Sequence, residues 1–283
     1  MRTYLNLFAF IVTLLISFIS FGQERSYSFK IDKTGNGKQT VIFIPGFASS
    51  ADVWNETVSQ FDEKFTCYTL TMAGFAGVRP KENSSFNTWS NEIARFIKKE
   101  KINSPIIIGH SMGGGLALNI ASDHPKLVKK ILVIDALPCL MALTNPSFTS
   151  KDNNNCSPMI NQIMAMSDEQ FAQMQKASVK TMTTNVNQQN TIVQWSLDSD
   201  KKTFASMYCD FLNIDLRNKI KSIECPSYIL LQSHFKNFKT QIGSQYKNLK
   251  TANLEYANKG LHFIMYDDKE WYFNQLKENI LSE

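Results

Sequence analysis

Residues 106–117 read IIIGHSMGGGLA, in which three isoleucines run into Gly-His-Ser-Met-Gly before an apolar segment resumes. This stretch constrains the chain more than any other. The isoleucine run is a buried strand, and the small-residue segment after it is a helix that ends before Pro125. One serine, Ser111, sits at the break with glycine two residues before and two residues after it. A turn this abrupt holds its central residue in a strained region of φ/ψ space and leaves no room for side chains at either flanking position. It lifts the Ser111 hydroxyl above the end of a sheet and sets the Met112 N–H beside it, at the positive end of a helix. A glycine-rich helix start can also serve packing or phosphate binding. No Lys-Ser or Lys-Thr follows the glycines, so a phosphate-binding loop fails.

Apolar runs and amphipathic segments alternate along the rest of the chain. Strands are expected at 27–32, 40–46, 66–72, 105–110, 129–138, 225–232 and 251–257. Helices are expected at 51–61, 89–100, 113–124, 239–248 and 269–281. Such alternation indicates a mostly parallel sheet covered on both faces, with ligands bound outside the carboxyl ends of the strands. Between residues 138 and 221 the pattern breaks into a stretch rich in Asn, Gln, Ser, Thr and Met. We read it as a helical cap inserted after the strand ending near Asp135, with residues 23–137 and 222–283 forming the core.

Residues 1–22 carry Arg2, no acid and an apolar stretch from Leu5 to Ile19, followed by small residues. They read as a signal peptide cleaved after Gly22, so the protein is expected in the periplasm or secreted. Retention as an N-terminal membrane anchor is the alternative. Cleavage removes Arg2 and no acid, leaving a mild positive charge one below the +5 of the full chain. No dense Lys/Arg block suggests a nucleic-acid partner. Among five cysteines there is no CxxC pair, which disfavours zinc. Cys67 and Cys225 lie in strand contexts and are expected as buried thiols. If a disulfide forms, Cys139 with Cys156 or Cys209 is the expected pairing.

A serine nucleophile needs a base. His110 neighbours Ser111 but points elsewhere and is expected to pack or hydrogen-bond. His124 lies at a helix end and is expected to be exposed. His234 follows the strand at 227–232 and could line a pocket. His262, in KGLHFIMYDD, lies on the loop after the last strand, at the same end of the sheet as Ser111, and is the expected base. The orienting acid is expected at Asp135, since an acid ending an apolar strand is costly unless paired. A carboxylate that caps local backbone N–H groups is the competing reading, and Asp215 and Glu224 are outside choices. The second oxyanion donor would be the Phe47 N–H, on the turn made by Pro45-Gly46.

Together these residues resemble the α/β-hydrolase superfamily, specifically its capped, serine esterase-like members. VIFIPGFASSADVW is similar to the oxyanion-loop segment, although many members carry His-Gly in place of Pro45-Gly46. AGFAGVRP is similar to the glycine-rich loop after the next strand, GHSMGG to the nucleophile elbow, and GLHFIMYDD to the histidine segment. Many members place the acid after the strand corresponding to 226–232, where this chain has no Asp or Glu up to Leu249. Some use the preceding strand, which matches Asp135. The resemblance implies a Ser111–His262–Asp135 triad, an oxyanion hole from the Phe47 and Met112 N–H groups, and hydrolysis of a small ester-like substrate through an acyl-enzyme. It requires no metal and no organic cofactor. Perhydrolase, haloperoxidase or C–C hydrolase chemistry on the same triad, or a ligand-binding protein with a relic site, are the alternatives. Seven methionines at 141, 159, 164, 166, 174, 182 and 207 could line an apolar pocket for an acyl or alcohol group. Filling a small helical core is the expected role for most of them.

Overall fold

A computed structural model describes residues 27–282. The expected signal peptide, residues 1–22, lies outside the described residues. Seven strands form one sheet: β1 (Phe29–Thr34), β2 (Gln39–Ile44), β3 (Phe65–Met72), β4 (Ile106–His110), β5 (Lys130–Ile134), β6 (Ser227–Leu231) and β7 (Ala252–Tyr256), in spatial order β1-β3-β2-β4-β5-β6-β7. β1 pairs antiparallel with β3, and every other pairing is parallel. Alternate residues of the central strands feed opposite layers. Ile42, Ile44, Ile107, Ile131, Val133, Ile229 and Leu231 join one buried cluster. Val41, Phe43, Ile106, Ile108, Leu132, Ile134 and Leu230 join the other. β4 and β5 are buried along their whole length, which is why they read as continuous apolar runs rather than alternating ones.

Helix α1 (Phe86–Lys99) starts at Ser85, whose side chain accepts from the Thr88 N–H, and buries Trp89, Ile93, Phe96 and Ile97. Helix α2 (Met112–Asp123) follows β4 directly and is buried from Met112 to Ser122. The helix expected over 51–61 is shorter: a 3₁₀ turn at Ala51–Trp54 and a single α-turn at Asn55–Val58. Trp54 and Val53 anchor it in the core, and turn bonds from Gln60 N–H to Thr57 and Phe61 N–H to Val58 carry the chain on beyond it. The terminal helix runs as expected but changes to π-helical winding at Lys277–Leu281.

Four helices lie between β5 and β6: α3 (Ser157–Met164), α4 (Asp168–Lys180), α5 (Val186–Leu197) and α6 (Lys201–Leu212). A disulfide joins Cys156, at the start of α3, to Cys209 in α6. This corrects the pairing expected for Cys139. Cys139 is 1 % exposed where the chain leaves β5, and its N–H donates to Gln245 Oε1 at 3.1 Å. Packing α3 against α6 brings Cys156 and Cys209 together, a long-range consequence that spacing does not reveal. Cys67 and Cys225 are buried thiols, and burial pushes them up to about 12 and about 11. Helix α7 (Lys239–Tyr246) joins β6 to β7, and helix α8 (Lys269–Leu276) closes the fold. No helix of the described residues is long and apolar enough to cross a membrane.

Candidate active site

Ser111 stands between β4 and α2 with φ 53° and ψ −122°. Positive φ in a residue that carries a Cβ is strained, and the surroundings hold it there. Its N–H donates to the Ile134 carbonyl at 2.8 Å, extending the β4–β5 ladder, and its carbonyl accepts from the Gly115 N–H at 3.1 Å. The flanking glycines are steric requirements. A Cβ on Gly109 would lie 2.2 Å from the Gly113 carbonyl oxygen, and one on Gly113 would lie 2.2 Å from that of Ile44. Met112 is the first residue of α2, so its N–H is one of the donors that a helix leaves without an internal acceptor.

The loop after β2 crosses directly over this turn. A Cβ on Gly46 would come within 3.2 Å of Ser111 Cβ and 2.9 Å of His110 Nδ1. Gly46 also accepts from the Ser49 N–H at 3.3 Å, closing a turn around Phe47 and Ala48, the latter at φ 51°. The Phe47 ring packs on Phe75, Phe204 and Tyr208 at centroid distances of 5.1, 4.6 and 5.3 Å. The loop is therefore clamped between the sheet layer and helix α6.

Asp135 follows β5 with φ 47°, and its side chain is 1 % exposed. Its N–H donates to the Leu230 carbonyl at 2.7 Å. Oδ2 accepts from His262 Nδ1 at 2.6 Å and from Gln232 Nε2 at 2.8 Å, and Oδ1 accepts from the Gln232 N–H at 2.8 Å. Three bonds compensate a carboxylate that burial would otherwise penalise. Gln232, at the end of β6, escaped the sequence reading. It lies in the very stretch searched for an acid, and it contributes amide donors to an acid carried by the neighbouring strand.

His262 lies between β7 and the short helix Ile264–Asp267. Two carboxylates shape its loop. Asp268 accepts from the Asn258 and Lys259 N–H groups at 2.9 and 3.0 Å, and Asp267 accepts from the Leu261 N–H at 2.9 Å. Asp267 also accepts from Thr183 Oγ1 at 2.6 Å, and the Phe263 N–H donates to the Met182 carbonyl at 3.0 Å. The loop is thus tied to the α4–α5 connection. With Nδ1–H donated to Asp135, His262 keeps Nε2 as an acceptor.

His110 is fully buried, with its ring centroid 4.6 Å from that of His262. Its Nε2–H donates to the His262 carbonyl at 3.0 Å. Burial first, then the neighbouring His262, holds it well below the ordinary histidine range, so it stays neutral. Among the described residues its Nδ1 has no hydrogen-bond partner.

Ser111, His262 and Asp135 line one cavity of about 540 Å³ together with Gly46, Phe47 and His110. The insertion between β5 and β6 supplies much of the remaining wall. Four of the seven methionines, Met159, Met166, Met174 and Met182, line it while also packing against the buried clusters, so pocket wall and core filling coincide in them. Met207 does pack in the core, and Met164 is 52 % exposed. His234 is exposed on the turn Ser233–Phe238 and stays outside the cavity wall. His124 is half-buried at the end of α2, not exposed, with Nδ1 3.5 Å from Lys98 Nζ. Asp215 is engaged by Arg217 at 2.7 Å, and Glu224 is exposed, so neither approaches His262 as Asp135 does.

Residues 39–268 match the sequence profile of the family described as alpha/beta hydrolase fold. A pimeloyl-[acyl-carrier protein] methyl ester esterase of Wigglesworthia glossinidia brevipalpis is 23% identical over 195 residues, 68% of this chain and 73% of that protein. The chain spans less than half the length of two further curated relatives that it matches. Among solved structures, an esterase from Exiguobacterium antarcticum superposes with a TM-score of 0.72 at 17% identity, over 88% of this chain and 94% of that one. The enol-lactonase from Burkholderia xenovorans LB400 gives 0.72 at 14% identity, over 90% and 96%. At these identities the structural likeness speaks for the fold alone.

Proposed function

The chain belongs to the α/β-hydrolase family, and from that premise we propose that it is a serine hydrolase cleaving a small ester-like acyl substrate through an acyl-enzyme. The observation that carries this reading is the 2.6 Å bond from His262 Nδ1 to the buried Asp135 carboxylate, beside a cavity that Ser111 shares. Ser111 Oγ attacks the ester carbonyl while His262 Nε2 takes its proton. Asp135 holds the imidazole in the needed tautomer and stabilises the cation. The Phe47 and Met112 N–H groups receive the negative charge on the carbonyl oxygen, a contribution of roughly 3–4 kcal/mol per donor in comparable sites. The C–O bond to the alcohol breaks, and the alcohol leaves with the proton from Nε2. Water then attacks the acyl-serine, giving its proton to Nε2. Ser111 Oγ recovers that proton as the acid departs.

Further features support the surrounding parts of the proposal. The insertion, taken as a cap over 138–221, would select the substrate, and its apolar contribution to the cavity wall fits an apolar acyl or alcohol group. The Cys156–Cys209 disulfide fits export by the 1–22 leader, since such bonds persist in oxidising compartments.

A fluorophosphonate probe and a graded series of activated esters test the reading. Wild-type protein should take one label and turn over short esters. Ser111→Ala should take none, with kcat/KM lower by roughly a millionfold. Folded wild-type protein that neither labels nor hydrolyses any ester would refute it and leave a binding protein.

A further inference from the structure

We propose that Gln175 reads one uncharged hydrogen-bonding group on the substrate, so that the preferred ester carries an apolar body with a single neutral polar tip. The inference rests on the ester-hydrolase reading of the same cavity. Helix α4 buries Phe171, Gln175 and Val179 at successive i, i+4 positions, a stripe that is otherwise apolar. Gln175 is only 6 % exposed, yet it lines the cavity. Its carboxamide, with one acceptor and two donors, makes no hydrogen bond to any described residue. Its amide atoms are not sealed away as Trp54 Nε1, Trp89 Nε1 and Gln245 Nε2 are, so they are open to a group that enters the cavity.

The contrast with Gln245 is instructive. Gln245 is also buried; its Oε1 accepts from the Cys139 N–H at 3.1 Å, its Nε2 is sealed without a partner among the described residues, and it does not line the cavity. Gln245 ties elements together. Gln175 instead presents its amide to the space a ligand would fill.

The walls around it define the tip. No Lys, Arg or Glu lines the cavity, and its ionisable groups are His110, Asp135, His262 and Tyr208. Asp135 is already engaged by His262 and Gln232. An ionised tip beside Gln175 would be stripped of water with no counter-charge, which disfavours it. An amide, ketone or hydroxyl exchanges hydrogen bonds with a carboxamide without that penalty. The reach follows from the helix. The Met182 carbonyl just beyond α4 is bonded to Phe263, next to His262, and Gln175 lies five residues before the end of α4, about 7.5 Å of helix rise. The tip is therefore separated from the scissile carbonyl by several bonds.

Three methyl esters of matched length decide the matter: adipic acid monoamide methyl ester, its isopropyl-tipped hydrocarbon isostere, and the adipate half-ester with a free carboxylate. Wild-type kcat/KM should be highest for the amide-tipped ester. In Gln175→Met, which keeps volume and removes the amide, the preference for amide over hydrocarbon should fall by roughly 10- to 100-fold. An unchanged preference in Gln175→Met, a wild type that favours the hydrocarbon tip, or one that favours the carboxylate would each overturn the proposal. Calorimetry of the same esters on Ser111→Ala, with and without Gln175→Met, separates this from failure of the hydrolase reading. If wild type hydrolyses no ester but Ser111→Ala binds the amide tip more tightly, and Gln175→Met abolishes that difference, the Gln175 assignment stands alone. Equal binding of the amide and hydrocarbon tips would remove it.

Discussion

The elbow around Ser111 and the helices between β5 and β6 are built by different rules. At the elbow, position is dictated atom by atom. Gly109 and Gly113 have no space for a Cβ, and both Ser111 and Asp135 are held at positive φ by ladder bonds to neighbouring strands. The insertion has no such local compulsion. Three of its four helices are started by side-chain caps, at Ser167, Asn185 and Asp200, and all are held by apolar packing and one disulfide. Two aromatic contacts in series, Phe171 on Phe204 and Phe204 on Phe47, join the two regions. Groups that must meet within tenths of an ångström are thus set by backbone, while the wall that shapes a substrate is set by side-chain packing, which tolerates change.

Asp135→Asn breaks this comparison most severely if it is wrong. The variant keeps the shape of the side chain and leaves the strand end intact. It removes the carboxylate that takes the His262 Nδ1–H, so the imidazole is free to adopt the opposite tautomer. We expect kcat to fall about 10⁴-fold, with some loss of melting temperature, because one amide oxygen cannot accept all three bonds that the carboxylate holds. Turnover within tenfold of wild type would place the orienting acid elsewhere and make Asp135 a backbone cap.

What could be read from the sequence divides along the same line. The β4 run, the two glycines and Ser111 are legible because burial on both faces and a steric exclusion leave a local signature. Asp135 is legible because an acid ending an apolar strand demands a partner. Gln232 is not, since an amide costs far less to place at a strand end and draws no notice. The cysteine pairing is not legible either: Cys139 is as near in sequence to Cys156 as any other candidate, and only the packing of α3 on α6 selects Cys209. The methionines on the cavity wall and those in the core carry the same chemistry, so composition cannot separate Met174 from Met207. The caps are a different case. Ser167 and Gln170 form a capping box whose S-x-x-Q pattern is present in the chain, a usable signal for the start of α4.

Removing the disulfide sharpens the comparison. Cys156 and Cys209 are 53 residues apart, and the bond crosses only the insertion. Chain-entropy reasoning gives a contribution of about 4 kcal/mol for a loop of this size. The Cys156→Ser/Cys209→Ser double variant should lose stability by that amount in urea titration. Faster hydrogen exchange should be confined to α3 through α6, and labelling of Ser111 should survive. Equal loosening of β4 and β5 would show that the two regions unfold as one unit.

The smallest expected effect probes the elbow from its hidden side. His110 is neutral, buried, and bonded through Nε2–H to the His262 carbonyl. Its pKa is lowered well below the ordinary value near 6.5, chiefly by burial and secondarily by His262. The sign follows from linkage. Above pH ~6.5 His110 is neutral whether folded or unfolded, and its contribution to stability is fully present. As pH falls below that value the unfolded chain takes up a proton that the folded protein refuses, so stability declines by up to about 1.4 kcal/mol per pH unit until the folded group titrates. His124, also lowered by burial and by Lys98, contributes in the same direction but is partly exposed and weaker. Urea titrations at pH 7 and pH 5.5 on wild type and His110→Gln isolate the His110 share. Glutamine can still donate to the His262 carbonyl but cannot titrate, so the variant should lose about 1 kcal/mol less than wild type over that interval. Identical pH slopes would mean that His110 accepts a proton within the folded protein. The buried ring under the base would then be a titrating group rather than a fixed donor.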